Sequence, residues 1–390
     1  MRKRLSVIGL GLLLSSLAMP LFAGPKGETG PSGNVIKIGV FEPMTGANAA
    51  GGAMEVEGIR LANELNPSIT VGGKTYKVEL VVADNKSDKV EAANAVQRLI
   101  DRDKVTLLLG SWGSSLAMAG GEVAKEAKIP VIGLSCTNPL VTAGNDYYFR
   151  VCFTDPFQGT VMANYAYNDV GARSAVIVRE VSNDYSVGLA KFFSDTFKQR
   201  TGDSGSILGT VDYNTGDQDF SAQLTAISSL KPDVIFAPGN YTESALIMKQ
   251  ARELGITIPV LGGDTWETPE FIDVGKERVE GAVFSTFFAA EHAANRAAET
   301  FLKEYRARYN NKDPAAVTVL GYDGYLLALD AIKRAGSVEA GKIREALAKT
   351  AGFVGAAGTV TLDANGDATK SAFIKTVQNG KFVFKTIVNP

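Results

Sequence analysis

From Asn34 to about residue 290 the chain repeats one pattern, a short apolar run followed by a stretch with helical periodicity. VIKIGVF (35–41) precedes GGAMEVEGIRLANELN (51–66), and YKVELVVAD (76–84) precedes DKVEAANAVQRLIDRD (88–103). VTLLLG (105–110) leads into a helix from Ser114 to about Ala127, and IPVIGL (129–134) follows. Apolar runs of this length, spaced by amphipathic helices, predict parallel strands covered on both faces. The alternation restarts after FRVCFTDPFQG (149–159), with strands at 174–180, 206–213, 232–239, 258–264 and 281–288. Helices are expected between them near 184–200, 219–230, 242–254 and 268–277, then near 293–309, 316–335 and 337–349. The tail 358–388 reads as strand, turn, strand, with turns at Asn365-Gly366 and Asn379-Gly380. The fold class is α/β, in two doubly wound units with elements returning from the second to the first.

The N-terminus gives an address. Arg2, Lys3 and Arg4 precede the apolar SVIGLGLLLSSLAMPLF, and Ala23 precedes Gly24, which together describe a secretory signal peptide over residues 1–23. GPKGETGPSG (24–33) holds three collagen-like triplets, far too few for a triple helix, and reads as a flexible leader. Residues 1–23 carry three positive charges and no acid, so their removal takes the formal net charge from −2 to −5. That sign offers no footprint for nucleic acid or an anionic membrane. The remaining stretch of about 367 residues exceeds what one core usually serves, which favours two domains. The full chain, with 45% hydrophobic and 21% charged residues, has a globular composition, not a disordered one. The two cysteines, Cys136 and Cys152, flank strands that could lie side by side, so they read either as a disulfide or as small buried hydrophobes.

In doubly wound sheets ligands collect outside the carboxyl ends of the strands. The loops to weigh are therefore GSWGSS, LSCTNP, EVSNDYS, PGNYTES and GGDTWETP. Catalysis has little to stand on there. GSWGSSLAM lacks the G-x-S-x-G of a nucleophile elbow, and the only histidine of the chain, His292, lies in AAEHAAN, which reads as a solvated helix start. No phosphate loop or dinucleotide fingerprint occurs, no cofactor is implied, and one His with two Cys has no metal-ligand spacing. DANGD (363–367) is a turn rather than a calcium loop, since the twelfth position is Ile374 where a bidentate acid is needed.

Binding uses the same residues better. A carboxylate leaving water needs several donors, which free N–H groups at a helix start and nearby hydroxyls supply. Ser114 and Ser115 stand where such a helix begins, and Ser135 and Thr137 crown the next strand. Asp264, ending its own strand, suits an ammonium, with Trp112, Tyr185, Tyr241 and Trp266 as candidate walls. Each also has a plainer reading: the serines and Asp264 as helix caps, the aromatics as packing.

IKIGVFEPMTGANAAGGAMEVEGIRLANE, GSWGSS, IPVIGLSCTNPLVTAGNDYYFRVCFTDPFQG, NDYSVGLA, DFSAQLTAI and VLGYDGYLLALDAI together resemble the type I periplasmic binding proteins of branched-chain amino-acid (leucine/isoleucine/valine) ABC transporters. The resemblance runs from about Val35 to the C-terminus. It implies two lobes joined by a three-segment hinge, with crossings near 154, 286 and 357: an N-lobe of 34–153 plus 287–356 and a C-lobe of 154–286 plus 357–390. It implies no enzyme activity, a monomer in the periplasm, and delivery of ligand to ABC permease subunits at the inner membrane. It puts the ligand carboxylate on Ser114, Ser135 and Thr137, the ammonium on Asp264 and the cleft aromatics on Tyr185 and Tyr241. Trp112 takes the place of a smaller wall residue, and Gly51 that of an aromatic. An α-amino acid, branched-chain or otherwise apolar, is the expected ligand. A small amide, urea or carboxylate in the same fold is the alternative, and a secreted serine hydrolase using Ser114 or Ser115 a remote one.

Overall fold

The computed structural model describes residues 34–293 and 295–390; the expected signal peptide and leader lie outside them. The first lobe is built on β1 (Val35–Glu42), β2 (Ser68–Val71), β3 (Lys74–Asp84), β4 (Leu107–Leu109), β5 (Val131–Gly133) and β6 (Tyr148–Arg150), with α1 (Ala49–Leu65), α2 (Lys89–Asp101) and α3 (Ser114–Glu126) between them. The sheet order is β2-β3-β1-β4-β5-β6, parallel except for β2, which forms a hairpin on β3. β4 and β5 are only three residues long, LLL and VIG, and every one of those residues is buried. A strand covered by helices on both faces has no solvent side, so its sequence is continuously apolar rather than alternating.

The second lobe carries α4 (Asp155–Asn168), β7 (Ala175–Glu180), α5 (Asp184–Thr201), β8 (Ile207–Tyr213), α6 (Ser221–Leu230), β9 (Val234–Phe236), α7 (Tyr241–Glu253), β10 (Val260–Gly262), α8 (Pro269–Gly275) and β11 (Val283–Thr286). The chain then supplies α9 (Arg296–Arg308), α10 (Ala316–Ala335), α11 (Ala340–Ala348), a small hairpin of β12 (Phe353–Gly355) and β13 (Gly358–Val360), and β14 (Ala372–Gln378) with β15 (Lys381–Val388). The second sheet runs β15-β14-β11-β10-β9-β7-β8; β14 alone is reversed, pairing antiparallel with both β11 and β15. The β14–β15 turn is Asn379-Gly380, both with positive φ (52° and 66°), as a two-residue hairpin turn requires.

α10 returns to the first lobe and packs on α1. Glycine sets how close they come: a Cβ at Gly58 would lie 1.8 Å from the Thr318 carbonyl oxygen, and one at Gly321 2.2 Å from that of Glu55. The chain crosses between lobes around Phe153 and again around Phe287, whose rings pack with centroids 4.5 Å apart. The third crossing, expected near 357, meets the turn of the β12–β13 hairpin there. The chain stays beside the first sheet through Asp367, where Arg150 N–H donates to the Gly366 carbonyl and the Arg150 guanidinium to the Asp367 carboxylate at 2.6 Å. It joins the second sheet only at β14. Arg150 is fully buried and also donates to the carbonyls of Cys136 (2.7 Å) and Asn138 (2.9 Å), which fixes the loop after β5. Cys136 and Cys152 are both buried free thiols.

Candidate functional site

In each sheet the strand order reverses beside the first strand of the lobe, so loops diverge there and leave a crevice at the carboxyl ends. The two crevices face each other around a cavity of ≈ 90 Å³. The first lobe contributes Ala47 and Asn48 after β1, Trp112 to Leu116 after β4, and Ser135 after β5. The second contributes Glu180 at the end of β7, Ser182, Asn183 and Tyr185 after it, Thr215 after β8, Asn240 after β9, and Asp264 with Thr265 after β10.

Six of the eight residues singled out in the sequence line this cavity: Trp112, Ser114, Ser115, Ser135, Tyr185 and Asp264. Thr137 and Tyr241 do not. Thr137 is fully buried behind the cavity wall, its carbonyl accepting from the Asp155 N–H. Tyr241 spans the lobes, its hydroxyl donating to the Ala47 carbonyl (2.8 Å) and accepting from the Ala50 N–H (3.3 Å). Trp266 is wholly buried, stacked on Phe271.

The first-lobe wall is donor-rich at the start of α3. That helix begins after Gly113 (φ 88°) with no side-chain cap, and the Ser114 hydroxyl accepts from the Asn138 N–H at 3.2 Å, which leaves its own proton free. Gly51 on α1 faces the indole of Trp112, and a Cβ there would stand 2.4 Å from the ring. The indole therefore fills the space that a side chain at 51 would take, and it meets Tyr241 edge-on with centroids 6.0 Å apart.

The opposite wall is acidic. Asp264 is buried, and its Oδ1 accepts from the Tyr185 hydroxyl (2.9 Å) and from Gln158 Nε2 (2.7 Å). Burial pushes its carboxyl up to about 6 against these two donors. Glu180, fully buried, is held by Thr215 Oγ1, Asn183 Nδ2 and the Asn240 N–H. Behind Ser135 lie Glu42 and Glu55, both buried; burial raises Glu42 well above the ordinary range and takes Glu55 to about 7. Ser115 faces the other lobe rather than the cavity centre: its hydroxyl donates to Asp184 Oδ2 (2.8 Å) and accepts the Asp184 N–H (3.0 Å). With Lys89 to Asp184 (2.9 Å) and Asn240 Nδ2 to Asn48 Oδ1 (3.0 Å), these bonds latch the lobes together.

The sequence reading passed over Glu42, Glu55, Gln158 and Glu180. Glu180 alone had a legible signal, since it ends a strand in one of the loops already marked. Among the described residues no cluster suits a metal ion, and His292 is exposed against Phe384.

Two lobes latched over a small cavity, with donors on one wall and carboxylates on the other, are the arrangement of a solute-binding site. The chain belongs to the periplasmic binding protein family, whose profile matches residues 35–381. Its structure is similar to a leucine binding protein, LivK, of Thermotoga maritima, with 45% identity and a TM-score of 0.87 over 91% of this chain and 99% of that one. It is also similar to LivJ of Streptococcus pneumoniae, a branched-chain amino acid transporter substrate binding protein in complex with isoleucine: 33% identity, TM-score 0.83, 92% of this chain and 100% of that one. A Leu/Ile/Val-binding protein homolog of Brucella melitensis is 28% identical over 93% of this chain and 95% of its own length. The family works outside the cytoplasmic membrane, and among the described residues no helix is long and apolar enough to cross one.

Proposed function

We propose that the protein captures an apolar α-amino acid of the branched-chain class between its lobes and hands it to the permease of an ABC transporter. One observation carries the reading: uncapped N–H groups and the Ser114 hydroxyl at the start of α3 face the buried Asp264 carboxylate of the other lobe across one small cavity. A zwitterion meets both needs at once, whereas a simple carboxylate or amide leaves Asp264 without a cation. The two solved relatives named for leucine and isoleucine support the side-chain class. The hinge strands and the latch through Asp184, Tyr241 and Asn240 support capture by closure, in which ligand bridging both walls stabilises the closed arrangement. The lobe division (34–153 with 287 to about 367, and 154–286 with the remainder), export directed by residues 1–23 and a monomeric state belong to the same proposal.

A thermal-shift screen of ligand-stripped protein against the twenty L-amino acids, D-forms, small amides and carboxylates tests it. Ligand at a hundred times its Kd adds about 2.7 kcal/mol of stability. The expected result is a shift with leucine, isoleucine and valine. A response confined to amides or simple acids would overturn the amino-acid reading, and absence of compaction in small-angle scattering on adding a binding ligand would overturn closure.

A further inference from the structure

Two serines face the cavity from the first lobe with opposite polarity. Ser114 accepts from a backbone N–H, and its proton is free to point inward. The Ser135 hydroxyl is 2.5 Å from Glu55 Oε1, an acceptor, so its proton is turned away from the cavity and its lone pairs face in. What fixes this is a buried carboxyl pair. Glu42 and Glu55 are fully buried and adjacent, and one oxygen of each, Glu42 Oε1 and Glu55 Oε2, has no other partner. A single proton held between them satisfies both orphan atoms. The Trp112 N–H already donates to Glu42 Oε2 at 2.7 Å and the Ser135 hydroxyl to Glu55 Oε1. Whichever carboxyl carries that proton, it lies between Glu42 Oε1 and Glu55 Oε2, so Glu55 Oε1 is left as an acceptor for Ser135. Asp264 lies near enough across the cavity for its charge to act on Glu55.

We infer that Glu55 is a positioning residue: it turns Ser135 into an acceptor, so that the ligand ammonium lies between Ser135 and Asp264 while the carboxylate lies at Ser114 and the start of α3. This rests on the amino-acid reading above, and it moves Ser135 from the carboxylate site, where the family resemblance put it, to the ammonium site. Glu55 stands less than two turns inside α1, placed by the Gly58 and Gly321 contacts between α1 and α10.

The test is calorimetric titration of wild type, Ser135→Ala, Ser114→Ala and Glu55→Leu with three probes: L-leucine, 2-hydroxy-4-methylpentanoate (no ammonium) and L-leucinamide (no carboxylate). Displacement of bound leucine reports the weaker probes. A hydrogen bond to a charged group corresponds to roughly a ten- to hundredfold change in Kd. Ser135→Ala is expected to weaken leucine and leucinamide by about that factor and the hydroxy acid by little; Ser114→Ala is expected to do the reverse with respect to the two analogues. Glu55→Leu frees the Ser135 proton and is expected to lower the ratio of leucine to hydroxy-acid affinity, a ratio that simple loosening of the site leaves unchanged. If Ser135→Ala weakens leucine and the hydroxy acid alike and spares leucinamide, the inference is wrong and the amino-acid reading stands. Absence of leucine binding to wild type overturns the reading itself.

Discussion

Asp264→Asn separates stability from binding, because the same burial that suits the carboxylate to an ammonium penalises it when the cavity is empty. In the structure Asp264 Oδ1 takes both protein donors, Tyr185 and Gln158. Asparagine keeps that oxygen and those two bonds and loses only the charge. Raising the carboxyl from 3.8 to about 6 corresponds to about 3 kcal/mol at 1.36 kcal/mol per pH unit. This is an upper bound on what the ligand-free protein recovers near pH 7.5, equivalent to a rise of a few degrees in Tm. The ligand loses a charge-assisted contact of about 1.5–3 kcal/mol, or roughly ten- to hundredfold in Kd. Differential scanning calorimetry of stripped protein and titration with leucine, isoleucine and valine would measure both on one sample. An unchanged Kd refutes the ammonium role of Asp264. A fall in both stability and affinity refutes the desolvation argument.

Other outcomes follow from the same geometry. Trp112→Ala empties the space over Gly51; competition titrations should show phenylalanine gaining several-fold on valine, at a stability cost of about 3–5 kcal/mol. Ser115→Ala and Asp184→Ala each remove part of the interlobe latch, and both should weaken ligand binding by a few-fold through faster release, read by stopped-flow dissociation, with the Lys89–Asp184 share vanishing at high salt. The buried acids set a pH dependence: burial raises Glu55 to about 7, Asp155 to about 8, and Asp264 and Asp323 to about 6. The folded chain keeps these protons where the unfolded chain has lost them. Their contribution is therefore greatest below about pH 4, is lost progressively as the pH rises from there through the folded values, and is gone above about pH 8. Ligand-free Tm should fall across that window, less so in Asp264→Asn, while the Tm shift given by leucine grows as Asp264 ionises. A ligand shift that is flat from pH 5 to 8 would contradict this.

Periodicity and strand-end chemistry were readable along the chain because both are local. LLL, VIG and VIF announce strands covered on both faces, AVTVLGYDGYLLALDAI announces a helix buried nearly all round, and the doubly wound order then says which loops meet a ligand. That is how Ser114, Ser135, Tyr185 and Asp264 could be named from the sequence, and why Asn379-Gly380 could be named as a turn. What lay beyond the sequence depends on partners distant in the chain. Thr137 and Tyr241 sit within two residues of the cavity residues Ser135 and Asn240, but a step of one or two residues turns a side chain from the cavity to the wall or to the other lobe. Glu55 reads as an ordinary helix acid until Gly58 and Gly321 bring α1 against α10 and bury it. Tertiary structure also decided the sense of each hydroxyl. Sequence supplies a serine at 114 and another at 135, each able to donate or accept; the Asn138 N–H leaves one a donor, and Glu55, eighty residues before Ser135, leaves the other an acceptor, because a buried polar atom takes the sense its fixed neighbour requires.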